Sequence, residues 1–201
     1  MPAATDEATG GYLVAYASGA HPPALDTTLS FGTSSIAADA GDVPLGSDGK
    51  IAIVNHGGAI DLVADVLGYY TAASQGGDLY HATNPTRLVD TRDGLGDILG
   101  PVGAGATYTI AGGGVQRITT AAAPVLALNI TVTQPSMRGN LVAFPQGAPP
   151  PGTSNLNWNA SQTIANSALV PGGGGDGIVI LNNSSGTIHL IVDCSGFFAS
   201  S

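Results

Sequence analysis

The sequence predicts an all-β fold: antiparallel strands layered as a β-sandwich or a prism-like domain, built from internal repeats, with little or no helix. Three observations predict it. The first is a repeat. Gly11-Tyr12-Leu13-Val14-Ala15-Tyr16 returns as Gly139-Asn140-Leu141-Val142-Ala143-Phe144. Ile60-Asp61-Leu62-Val63-Ala64-Asp65-Val66-Leu67-Gly68-Tyr69-Tyr70 returns as Ile188-His189-Leu190-Ile191-Val192-Asp193-Cys194-Ser195-Gly196-Phe197-Phe198. The offset is 128 residues at both ends and 127 in the middle, where Pro44 matches Pro171. A repeat with so little drift dictates the architecture. The second is composition: 30 Gly and 13 Pro accompany 43% apolar residues, and only 9% of the chain is charged. Turn formers and β-branched runs with almost no Lys or Glu suit strands and tight turns. The third is periodicity: apolar residues alternate or run briefly between Gly, Pro, Asn and Asp, and no stretch carries a 3.6-residue stripe.

Each element follows in order. Residues 11–18 read as a strand, His21-Pro22-Pro23 as a turn, and 27–31 and 34–38 as short strands. A turn at Leu45-Gly46-Ser47-Asp48-Gly49 leads to strands at 50–55 and 59–70. His56-Gly57-Gly58 and Asn183-Ser184-Ser185-Gly186 hold equivalent places and read as hairpin turns between the last two strands of each copy. Ala121-Ala122-Ala123 runs into Pro124, which limits any helix there to a single turn.

The matching halves divide the chain into a rear half-repeat (1–72), a front half-repeat (73–135) and a second rear half-repeat (136–201), packed as one or two β domains. The front half has its own layout: a strand over Pro85-Thr86-Arg87-Leu88-Val89-Asp90-Thr91-Arg92, a Gly-rich loop, a strand at 106–111 and a long strand at 125–133. That last strand carries a polar residue, Asn129, where the rear halves carry Asp65 and Asp193. These three are expected to be buried, structural polar groups. Two organisations follow, three related units of about 65 residues or one and a half copies of a 128-residue module.

Pro85-Thr86-Arg87-Leu88-Val89-Asp90-Thr91-Arg92, Leu128-Asn129-Ile130-Thr131-Val132-Thr133, Ser154-Asn155-Leu156-Asn157 and Asp193-Cys194-Ser195-Gly196-Phe197-Phe198 occur in that order. Together they resemble a repeat common in secreted and cell-surface proteins of actinobacteria and related environmental bacteria. The resemblance covers one full repeat from about residue 74 and the rear half of another before it. It implies an exported, extracellular or cell-surface, modular protein and no particular activity. Cys194 departs from the usual aliphatic residue. The start near Thr5, just past where a strand like 128–132 would lie, suggests a trimmed or processed piece or a chain that borrows a strand.

Five basic residues against fourteen acidic ones give a net charge of −9. Nucleic-acid binding needs clustered Lys and Arg, and the five here are scattered, so that class is excluded. Anionic membrane surfaces are disfavoured for the same reason. No apolar run reaches the ~18 residues of a membrane span, so membrane insertion is not expected. One cysteine, Cys194, excludes an internal disulfide framework and reads as a small buried hydrophobe. The four histidines, His21, His56, His81 and His189, lack zinc spacing. No metal or other cofactor is expected.

Two clusters are candidate ligand sites. Arg87, Asp90 and Arg92 could clamp a carboxylate or a sugar hydroxyl, or one arginine could pair with Asp65 or Asp193. Asn157, Trp158 and Asn159 could combine an aromatic platform with amide groups for a glycan, although the same letters suit a core aromatic flanked by turn formers. Asp90, Asp93 and Asp97 lack EF-hand spacing for calcium. No nucleophile elbow or convergent catalytic set appears, and a hydrolase would have to draw on carboxylates such as Asp61, Asp65 and Asp90. The expected function is therefore non-enzymatic: an extracellular spacer, coat or fibre component acting by β packing and self-association, with homo-oligomers or neighbouring repeat modules as partners. Adhesion through carbohydrate binding is the alternative.

Overall fold

In the computed structural model the described residues are 2–5, 10–22, 27–72, 76–112 and 124–200. Apart from Gly112, whose backbone is helical, they are strand, turn and loop, with a 3-10 turn at Gly174–Asp176. The fold is all-β, as expected. The Ala121–Ala123 stretch lies outside the described residues. The chain divides into two compact units, Met1–Val66 and Leu67–Ser201.

The second unit is a two-sheet sandwich. One sheet runs β12(Ile164–Pro171), β9(Val125–Thr133), β14(His189–Ala199), β7(Leu79–Asp90). The other runs β11(Leu156–Trp158), β10(Gly139–Pro145), β13(Ile178–Ser184), β8(Thr107–Ile110). All pairings are antiparallel. Alternation sends Leu126, Leu128, Ile130 and Val132 of β9 inward, where they meet Leu141, Trp158, Ile178 and Ile180 of the opposite sheet. Front and rear halves are thus interleaved in both sheets: β7 and β9 flank β14, and β8 borders β13.

The first unit contains β1(Pro2–Thr5), β2(Gly11–Ala17), β3(Leu29–Phe31), β4(Ala37–Ala38), β5(Ile51–His56) and β6(Asp61–Ala64). Its sheets run β4-β1-β6 and β3-β2-β5, around a small core of Leu13, Leu29 and Phe31. Its registers are those of the second unit displaced by 128 or 127 residues. Leu13 faces Leu29 and Asn55, as Leu141 faces Leu156 and Asn182. Ala4 faces Ala37 and Leu62, as Val132 faces Ile164 and Leu190.

Several sequence expectations are corrected. The loops at 57–58 and 185–186 are not hairpin turns: β5 and β6 lie in different sheets, as do β13 and β14. Each loop carries the chain across the sandwich. A short strand, β1, precedes the residues where the first copy was expected to open, and it covers the counterparts of Ile130–Thr133 only. The strand expected over 59–70 ends at Ala64. The physical reason is partnership. In the second unit, residues 193–199 are held by the first half of β9 and by β7. Among the described residues the first unit has no counterpart of either.

The consequence is exposure. Leu62, Val63 and Ile51 are 41%, 51% and 42% exposed, while their counterparts Leu190, Ile191 and Ile178 are 0%, 8% and 0%. Val66 is 89% exposed and its counterpart Cys194 is fully buried.

Candidate functional site

The Arg87, Asp90, Arg92 cluster forms where β7 ends. Pro85 cannot donate to a ladder, and it sits near a register shift on an edge strand, where that lack is tolerated. Past it, Leu88 and Val89 enter the core and Asp90 is carried in with them. The chain then turns: the amides of Asp93 and Leu95 donate to the Asp90 carbonyl at 3.2 Å, and Gly94 and Gly96 adopt positive φ. At Gly96 the approach is close, because a Cβ would meet the Leu88 carbonyl oxygen at 3.1 Å.

A buried carboxylate needs charged partners. Asp90 Oδ1 accepts from the Arg92 backbone amide at 3.1 Å and from Arg92 Nε at 2.8 Å. Its Oδ2 accepts from Arg92 Nη2 at 2.6 Å and Arg87 Nη1 at 3.3 Å. Arg87 also reaches across to β14, donating from Nε to Asp193 Oδ1 at 2.8 Å and from Nη2 to Oδ2 at 3.2 Å. The Arg92 hydrogen bonds and charge hold the Asp90 carboxyl down at about 2, against the opposing effect of desolvation. The Arg87 guanidinium is pushed up, chiefly by its hydrogen bonds with Asp193. Next to it, Thr91 Oγ1 accepts from the Leu190 amide at 3.0 Å and meets His189 Nδ1 at 3.0 Å.

The cluster is therefore a clasp between β7, the following loop and β14, with both Asp90 oxygens already engaged. Those oxygens are not available to a calcium ion, and among the described residues no group of three His, Cys, Asp or Glu could hold a metal. Asp61 and Asp65 fall in the first unit.

Asp193 and Asn129 face each other across β14 and β9. Arg87, Asp193, Asn129 and Ser167 form one cross-strand row on the outer face of the sheet. Asn129 is exposed and Asp65 and Asp193 are only partly covered, which corrects their expected burial. Alternation explains it: with Leu128 and Ile130 in the core, Asn129 must point out.

Trp158 does not sit beneath a glycan. It is fully buried, and its indole Nε1 donates to the Met137 carbonyl at 2.9 Å. The sugar-platform reading of Trp158 is corrected on that ground, since neither ring face is reachable. Asn157 accepts from Ser154 Oγ at 3.2 Å, and the Asn159 amide donates to Gln162 Oε1 at 2.8 Å, so both shape the loops around β11. Cys194 is buried, and desolvation pushes its thiol up.

Sequence reasoning missed two structural asparagines. Asn182 donates through Nδ2 to Gly186 O at 2.8 Å, Gly103 O at 2.8 Å and Val102 O at 3.2 Å, tying the crossing loop to the front half. Asn155 accepts from the Ala143 amide at 2.7 Å through Oδ1. A signal existed for the first: Asn182 repeats as Asn55, whose Nδ2 donates to Gly58 O at 2.7 Å, the equivalent loop. The described residues include no helix long and apolar enough to cross a membrane. Compared with protein-family models, curated proteins and solved structures, the chain has no match.

Proposed function

We propose that this chain is a non-enzymatic structural module of a secreted or cell-surface protein. It would serve as a spacer, coat or fibre component through stable β packing and association with copies of itself or with neighbouring repeat modules. One observation carries the reading: apolar side chains buried in the second unit are exposed at their repeated positions in the first. Apolar surface gathered along strand edges favours association, because pairing removes it from water and satisfies open backbone groups. The densest charged cluster supports the non-enzymatic part, since its carboxylates and guanidiniums hold strands and loop together. The resemblance to exported repeats supports the location. The glycan alternative loses its aromatic platform with Trp158 in the core, and no other observation favours it.

Light scattering across a concentration series tests the proposal. Species heavier than the 19.8 kDa chain should grow with concentration. A strict monomer at every concentration contradicts association by this chain.

A further inference from the structure

We propose that the first unit is an acceptor for a front half-repeat: a polypeptide segment with the strand pattern of β7, β8 and β9, additional to the one that pairs within the second unit. The inference rests on the structural-module reading and names the partner that reading leaves open.

The second unit displays the occupied form of the same site. There β7 lies along β14, with Asp90 opposite Ile191 and Val89 opposite Val192. At the same time β8 lies along β13, with Ile110 opposite Ile178 and Tyr108 opposite Ile180. The counterpart edges in the first unit are β6 at Val63 and Ala64, and β5 at Ile51 and Ile53. Among the described residues both strands end their sheets. An open edge is a template for strand addition: main-chain groups give affinity and alternate side chains give specificity. Here the side chains are the exposed Leu62, Val63 and Ile51.

One further position favours a front half over a generic strand. Asn182 binds the front-half carbonyls of Val102 and Gly103, and its counterpart Asn55 stands on the acceptor beside the equivalent loop.

The front half at 76–133 is already seated on β13 and β14 in the second unit, so the segment the acceptor takes is a further copy of that pattern.

The register prescribes the test. Pro2 takes the position of Ile130, so a copy of residues 76–128 fused to the N-terminus extends β1 in the register of β9. Hydrogen exchange over Ile51–His56 and Asp61–Ala64 should slow by about 100-fold or more in the fused full chain relative to the unfused one. A control with Leu126→Asp and Leu128→Asp in the added copy should show no slowing. In a second arm, a separate 76–128 polypeptide titrated into the unfused chain should slow the same amides.

No slowing in either arm overturns the inference, as does equal slowing with the Asp control. Edges already protected in the unfused chain, as a dimer joined through β5 or β6, also overturn it. Failure here with concentration-dependent association intact leaves the structural-module reading standing. Slowing in a strictly monomeric chain sustains the acceptor and removes self-association.

Discussion

Asp90 shows how one residue can be both a liability and a fastener. Its carboxylate is buried at the foot of β7, where an unpaired charge would not be tolerated, and its two arginines keep it ionised. Those arginines are partly exposed, so water and salt weaken each pair. The strength of the clasp therefore depends on Asp90 being buried. Replacing it tests this directly. Asp90→Asn should lower unfolding stability by about 1–3 kcal/mol near neutral pH in urea titrations of the second unit. Its pH signature has a fixed sign. The folded carboxyl lies at about 2, below its ordinary 3.8, so its contribution is complete above that ordinary value. It should fade as pH falls from about 4 through about 2, and Asp90→Asn should lack that component. An identical acid profile for the two proteins would remove the clasp from the account. At this scale the sequence was partly legible. The scarcity of charge made the Arg and Asp cluster conspicuous, and the strand aspartates suggested a partner. Which aspartate each arginine takes was not legible, because it depends on which strand borders β14.

Strands with one sequence pattern differ here according to their neighbours. Leu190 and Leu62 occupy equivalent places, yet only Leu190 has a full complement of strands around it. Leu190→Ala should cost the second unit about 2–5 kcal/mol, the range for emptying a packed site. Leu62→Ala should cost the first unit within about 0.5 kcal/mol, as at a surface position, with both read by chemical denaturation. Equal large losses would mean that Leu62 is covered. Most strands could be placed from alternation and bounding turns, and β9 matches its expected limits of 125–133. The errors fell where pairing overrides local pattern. Residues 65–70 have the letters of a strand but lack the ladder that holds 193–198, and the 57–58 and 185–186 loops have hairpin letters but connect different sheets. Neither fact is encoded locally.

At the scale of the whole molecule, the repeat is expressed as shared pairing within unequal units. The rear half beside a front half forms a two-sheet sandwich with a continuous core. Among its described residues the leading rear half keeps the same registers around a small cluster of Leu13, Leu29 and Phe31, and β5 and β6 end their sheets. The 128-residue spacing was legible from the letters alone. That it would appear as equal register, Leu13 to Leu29 and Leu141 to Leu156, needed the pairing itself. Interstrand nuclear Overhauser contacts in the full chain measure that equality most directly. Contacts are expected from Ala3 to Val63 and Leu13 to Asn55 alongside Thr131 to Ile191 and Leu141 to Asn182. Contacts in the second unit with a different register, or helical contacts, across residues 2–66 would contradict it.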